Sequence, residues 1–208
     1  MASFYDRHIM PRLIACACAS GPIMRQRQKV VPLARGRVLE LGIGGGLNLA
    51  FYDPSQVSEV RGVDPSHALR ERAMAAPRSE GLAVAVQAGV AEALPFDSAS
   101  FDTVVCTFTL CSVRSPREAL GEAWRTLRPG GRLLFCEHGL APDEGVARWQ
   151  RRLEPVWRRI AGDCHLTREI VGPIEAAGFA VRAVETMYLP NTPKIAGWQA
   201  WGAALKAA

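Results

Sequence analysis

Val38-Leu39-Glu40-Leu41-Gly42-Ile43-Gly44-Gly45-Gly46, with Asp64 eighteen residues beyond Gly46, decides the fold. The apolar start, Arg37–Leu41, reads as a buried strand, and the glycines end it abruptly. Such a strand delivers the chain to the carboxyl edge of a sheet, where open α/β folds bind their ligands. Glycine tolerates positive φ and brings bare backbone against a ligand. The amides of a short helix over Asn48–Tyr52 then suit a carboxylate. An acid ending a second strand, Glu59–Val63, can accept from two ribose hydroxyls, each charge-assisted bond contributing about 1.5–3 kcal/mol. A dinucleotide fingerprint puts its third glycine at position 47, which is Leu47, so the spacing is G-x-G-x-G. No Gly-Lys-Ser/Thr follows, which excludes a P-loop.

Outward from this loop, helical and strand-like segments alternate. Ser66–Ala75 reads as a helix, Ala83–Gln87 as a strand and Thr103–Phe108 as another. Glu118–Leu127 is a helix stopped by Pro129-Gly130-Gly131, and Arg132–Glu137 is a strand. This alternation demands crossovers and a parallel sheet. Helices over Glu144–Ile160 and Thr167–Ala177 follow. Two strands come last, Ala180–Leu189 and about 195–205, and Pro190 and Pro193 between them favour an antiparallel edge pair. Upstream, Tyr5 to about Ala19 has helical spacing, and Pro22 opens a second helix to about Leu33. We expect a helical cap or lid over 1–35 and one α/β domain over 36–208, with a helical acceptor-side insertion at about 142–177.

Composition sets the outer limits. The 208 residues are 49% hydrophobic and 22% charged, which suits one packed domain. The net charge is +5, and lysine occurs only at Lys29, Lys194 and Lys206. The arginines are scattered, so most read as solvated helix faces and not as a nucleic-acid stripe. The six cysteines form no C-x-x-C pair and no zinc-type ladder, so no metal is expected and a reducing compartment is. There is no basic-then-apolar leader and no run of 18 apolar residues, so the expectation is a cytoplasmic protein without a membrane span. The sequence leaves oligomeric state open.

Five segments in order carry a resemblance: Glu40-x-Gly42-x-Gly44-x-Gly46, Gly62-Val63-Asp64-Pro65, Ala91-Glu92-Ala93-Leu94-Pro95-Phe96, Ser100-Phe101-Asp102-Thr103-Val104-Val105 and Leu127-Arg128-Pro129-Gly130-Gly131. Together they resemble the signatures of class I S-adenosylmethionine-dependent methyltransferases over about 36–138. The resemblance implies a Rossmann-like seven-stranded α/β sheet of order 3-2-1-4-5-7-6 with the last strand antiparallel. It implies S-adenosyl-L-methionine as donor and S-adenosyl-L-homocysteine as product. By position, Glu40 would order the glycine loop, and Gly42, Ile43, Gly44 and Gly46 would line the methionine part, with Asn48 and Thr107 close by. Asp64, next to Pro65, would hold the ribose, and Val90, Ala91 and Glu92 would flank the adenine. The family often carries Gly-Asp-Ala-Glu where this chain has Gly89-Val90-Ala91-Glu92. Val90 has no acceptor for the adenine amine, so that contact falls to Glu92, backbone or water.

The acceptor is read from what lies beyond strands four and five. Cys106-Thr107-Phe108-Thr109 is not the Asn/Asp-Pro-Pro-aromatic of base amine methylases, and there is no Pro-Cys nucleophile, so no nucleic-acid partner is expected. Val105-Cys106-Thr107-x-x-Leu110-Cys111-Ser112-Val113, Glu137-His138, Trp149-Gln150, Pro155-Val156-Trp157 and Cys164-x-Leu166-Thr167-Arg168-Glu169 resemble the mammalian alkyl-thiol methyltransferases of the endoplasmic reticulum and their bacterial relatives. Those mammalian enzymes have an apolar N-terminal anchor that is not seen here. The resemblance implies S-methylation of a small thiol. His138 and Asp163 are the candidate catalytic groups, and Tyr5, Cys111, His138, Cys164 and His165 the candidate acceptor pocket. Each also has a plain structural reading: a hydrogen-bonded histidine, packed cysteines, an exposed loop residue. An N-terminal helix resting on an anionic membrane would instead favour a phospholipid or small-amine N-methyltransferase. A non-catalytic S-adenosylmethionine-binding protein is the third reading.

Overall fold

The computed structural model describes residues 18–207. Helix α1, Gly21–Val30, has Pro22 in its first turn and runs into a 3-10 turn at Val31–Leu33. Strand β1, Gly36–Leu41, comes next, followed by β2, Val57–Val63, and helix α2, His67–Ala75. Ser66 caps α2 by accepting from Leu69 N at 3.4 Å. Then come β3, Val84–Gln87; β4, Phe101–Thr107; α3, Pro116–Thr126; and β5, Leu127–His138. The final third holds α4, Glu144–Ile160; α5, Val171–Ala176; β6, Ala180–Tyr188; α6, Lys194–Gly197; and β7, Trp198–Leu205.

The seven strands form one sheet in the order β3-β2-β1-β4-β5-β7-β6. The pairs from β3 through to β5 are parallel, while β7 runs antiparallel to both β5 and β6. Both faces of the sheet are covered, and the strand period of two sorts side chains between two cores. Val104, Cys106, Leu133 and Phe135 join Leu120 and Ala123 of α3 on one face. Val105, Leu134 and Cys136 join Val30 and Val31 on the other. Each fully buried aliphatic side chain contributes about 1.5–3 kcal/mol, so the two layers, not the exposed helix faces, hold the sheet together.

Several sequence expectations shift. The helix expected over Asn48–Tyr52 is a 3-10 turn at Leu49–Phe51. Asn48 is drawn inward by side-chain bonds, so the turn does not propagate and presents no α-helical N-terminus to a ligand. The helix expected over Thr167–Ala177 shrinks to α5. Its first residues are held otherwise: Thr167 N donates to Glu154, and Leu140 N donates to Arg168 O at 2.9 Å. Pro129-Gly130-Gly131 does not end α3, which stops at Thr126; the three residues lie inside β5, where the β4–β5 register shifts. The last strand loses its start to α6. Among the described residues, no helix is long and apolar enough to cross a membrane. Tyr5 and the helix expected from there lie, up to residue 17, outside the described residues.

Candidate active site

The glycine loop leaves β1 at the carboxyl edge of the sheet. Gly42, Gly44 and Gly46 all have positive φ, +61°, +55° and +77°. Two of them are closed in by packing: a Cβ on Gly42 would meet Thr109 at 2.7 Å, and one on Gly46 would meet Ala76 at 2.8 Å. Around Gly44 the nearest atom is Gly42 O at 3.8 Å. The loop thus has a bare, open point at its centre, where a ligand can lie against backbone. Ile43 N is tied to Val63 O at 3.0 Å, which fastens the loop to the end of β2.

Asp64 stands at that end. Its carboxylate accepts from Gly44 N at 3.0 Å and Ser66 N at 2.8 Å, one bond per oxygen, which leaves a lone pair on each for a further donor. Burial raises its pKa, and the two amide bonds oppose that rise. Arg70 grips the backbone of the same turn, donating to Asp64 O and Pro65 O at 2.8 and 3.0 Å.

Beneath the loop lies a buried polar network. Glu40 accepts from Asn48 Nδ2 at 2.9 Å and from the Tyr52 hydroxyl at 2.7 Å. Arg27, from α1, donates to Asn48 Oδ1 at 3.0 Å and Thr107 Oγ1 at 2.7 Å, and Asn48 Nδ2 also reaches Thr107 Oγ1 at 2.9 Å. Burial pushes the Glu40 carboxyl up to about 7, against Tyr52, Arg27 and Asn48, which favour its charged form. Arg27 Nε is buried with no partner among the described residues. Sequence reasoning missed both Arg27 and Tyr52. An arginine in an amphipathic helix looks solvated, and nothing local says that this one is buried.

In the loop expected to flank the adenine, Ala91 is buried while Val90 is 44% exposed. Glu92 Oε1 is committed elsewhere, accepting from Arg114 N at 2.6 Å and Ser115 N at 3.2 Å. Glu92 therefore ties this loop to the start of α3. Glu122 and Arg125 of α3 hold the next stretch, accepting from Leu94 N and donating to Phe96 O, both at 2.7 Å.

Past β4 and β5 the chain gathers a second group. Cys111, His138 and Cys164 place their donor atoms within 4.8 Å of one another. His138 Nε2 lies 3.0 Å from Cys164 Sγ, and Trp157 Nε1 donates to that sulfur at 3.5 Å. The thiol of Cys111 beside it, with burial, pushes the Cys164 pKa up. For His138, burial acts to lower the pKa and is outweighed by Cys164 and Glu137. The remaining candidates lie off this cluster. Asp163 is at the surface, paired with Arg158 at 2.8 Å. His165 faces Glu154 at 2.9 Å, while its backbone N donates to Cys111 O at 2.8 Å. Gln150 is buried and structural: it accepts from Ala141 N and donates to Gly139 O and Ile195 O, which pins α4 to the end of β5.

The chain is similar to known proteins. A family model described as a methyltransferase domain matches residues 39–135. The thiol S-methyltransferase TMT1B of Rattus norvegicus is 40% identical over 169 residues, 77% of this chain and 68% of that one. The human thiol S-methyltransferase TMT1A is 31% identical over 179 residues, 84% and 72% of the two chains. A crystal structure of a protein from Bacillus halodurans superposes with a TM-score of 0.72 at 18% identity, covering 90% of this chain and all of that one, a likeness of fold. A strand, an open glycine cradle and a facing acid in a 3-2-1-4-5-7-6 sheet, at this level of identity, admit one conclusion: the chain belongs to the S-adenosylmethionine-dependent methyltransferases, in the group that contains the thiol S-methyltransferases TMT1B and TMT1A.

Proposed function

We propose that this enzyme methylates the sulfur of a small thiol. The observation that carries the reading is that the likeness to TMT1B takes in 77% of the chain, more than the 39–135 methyltransferase domain, and that Glu137-His138 and Cys164-x-Leu166-Thr167-Arg168-Glu169, beyond that domain, resemble the alkyl-thiol methyltransferases. The donor residues fit S-adenosylmethionine. The open backbone at Gly44 takes the methionine end, the free lone pairs of Asp64 take the ribose hydroxyls, and Ala91 with exposed Val90 provides an apolar wall for adenine. The donor supplies a methyl group already activated on a sulfonium. The chain has to hold donor and acceptor in line and keep water out, and alignment alone can be worth about 7–11 kcal/mol.

A thiol adds one demand, because near neutral pH only a few per cent of it is the nucleophilic thiolate. Activation falls to the corner around His138, whose imidazole lies within reach of both sulfurs. Asp163 and His165 take supporting parts there, holding the turn that carries Cys164. We place the enzyme in the cytoplasm and give it no nucleic-acid partner, since the arginines are scattered along the sequence and Arg37, Arg125, Arg128 and Arg158 pair with nearby acids.

The test is product identification by mass with labelled donor and a mixed library of alkyl thiols, small amines and phospholipid vesicles. Labelled thioethers are expected. Labelled amines or lipids with unmodified thiols would replace this reading with N-methylation. Tight donor binding without any product would leave a non-catalytic binder.

A further inference from the structure

The Cys111–His138–Cys164 corner has more order than a pocket wall needs. Its donors come from three separate elements: the loop after β4, the last residue of β5 and the turn after α4. Each carrier is held by bonds distant in sequence. Arg168 donates to Leu110 O beside Cys111, and His165 N donates to Cys111 O. Cys164 follows Asp163, which has a positive φ of +61° and pairs with Arg158 of α4. The donor atoms point at one another, with Cys111 buried and the other two partly exposed.

We propose that these three side chains bind a thiophilic divalent cation, Zn²⁺ by chemistry, through Cys111 Sγ, His138 Nε2 and Cys164 Sγ. Two thiolates and an imidazole form the soft set that selects zinc-like ions over magnesium or calcium. Tetrahedral zinc with bonds of about 2.0–2.3 Å needs donors roughly 3.5–3.8 Å apart. The corner has His138 and Cys164 at 3.0 Å and everything within 4.8 Å, so small side-chain rotations close it. The outer partners are in place as well. Trp157 Nε1 donates to one sulfur, and Ser112 Oγ lies 3.4 Å from the other. Two thiolates cancel the ion's double charge, so a partly buried site carries no net charge.

Three protein ligands among the described residues leave a fourth position for another donor, as in catalytic zinc sites. Resting on the proposed thiol reading, that position takes the acceptor's sulfur. The S–H bond breaks, the proton leaves to solvent, and the thiolate stays bound and nucleophilic at neutral pH. His138 then acts as a ligand and not as a base.

The site is missed in sequence because its members are 27 and 26 residues apart, far from any zinc-type spacing. Its test does not need the acceptor. The full chain, reduced with a phosphine and freed of metal, is titrated with Co²⁺ and Zn²⁺. One ion per chain is expected, with a thiolate-to-cobalt charge-transfer band and tetrahedral visible bands. Cys111→Ser, Cys164→Ser and His138→Gln should each lose about 100-fold or more in affinity, above the 10- to 100-fold cost of losing an outer partner. Cys136→Ala should bind as wild type does. If a ligand variant fails to fold, a rise in wild-type Tm on adding Zn²⁺ still decides the matter. No uptake by the wild type overturns the proposal, as does a Cys111–Cys164 disulfide in place of metal or unchanged affinity in folded ligand variants. Failure here leaves thiol methylation standing, and an inactive thiol panel leaves the metal count standing.

Discussion

Gly44 and Gly46 are two residues apart and share a left-handed backbone, yet they serve different ends. An alanine at 46 must push aside Ala73 of α2 and Ala76 just past its end. Gly46→Ala should therefore lower the urea midpoint by an amount worth about 1–3 kcal/mol beyond the backbone strain, the usual cost of overpacking. At 44 there is space, so Gly44→Ala bears chiefly the strain of a left-handed L residue, about 1–2 kcal/mol. Its methyl then stands in the cradle, and calorimetry should show donor affinity falling far more than stability does. If Gly44→Ala binds donor as well as wild type, the cradle lies elsewhere. Asp64 is the matching polar case. Losing even one charge-assisted bond to the ribose, about 1.5–3 kcal/mol, weakens binding about 10- to 100-fold, so calorimetry on Asp64→Ala should show at least that. Unchanged affinity would remove Asp64 from the site.

At the scale of elements, β1 carries an acid that its sheet cannot solvate. Glu40 is 2% exposed, and its pKa rises to about 7 because burial disfavours the charged form more than Tyr52, Arg27 and Asn48 favour it. The folded state therefore holds this proton more tightly than the unfolded chain does. The stability it contributes is complete below the unfolded value of 4.5 and is lost as pH rises through about 7. The swing is on the order of 3 kcal/mol. Glu40→Gln cannot titrate, so its unfolding free energy should fall less than that of wild type between pH 5 and pH 8. Denaturant melts at the two pH values check this, and parallel losses in both proteins would contradict it. The strand itself was legible from Val38 to Leu41, whereas the network below it was not. Its members come from α1, β1, β4 and a 3-10 turn, and short-range patterns say nothing about which polar groups from distant segments meet.

For the molecule as a whole, Arg168 shows how the segment after α4 is fastened to the loops that leave β4 and β5. Its guanidinium donates to Leu110 O in the loop after β4, and its own carbonyl accepts from Leu140 N beyond β5. Arg168→Ala removes a charge-assisted bond of about 1.5–3 kcal/mol across that seam. Acceptor kcat/KM should fall about tenfold or more while donor affinity stays near wild type, and equal losses in both would show a global role. By itself the sequence determined the alternation of strands and helices and the glycine loop with an acid after the second strand, and through its resemblance to the methyltransferases it implied the sheet order and the class of chemistry. Apolar period, glycine spacing and a placed acid are local signals, and they act over distances a strand and a turn can span. Only the tertiary structure decided that Arg27 is buried under the loop and that Glu92 braces α3. It also turned the side chains of Asp163 and His165 to Arg158 and Glu154, beside the corner where Cys111, His138 and Cys164 meet. Those outcomes depend on which residues the crossovers bring to one sheet edge, and that is set by packing both faces of the sheet at once, with no trace in the spacing of residues along the chain.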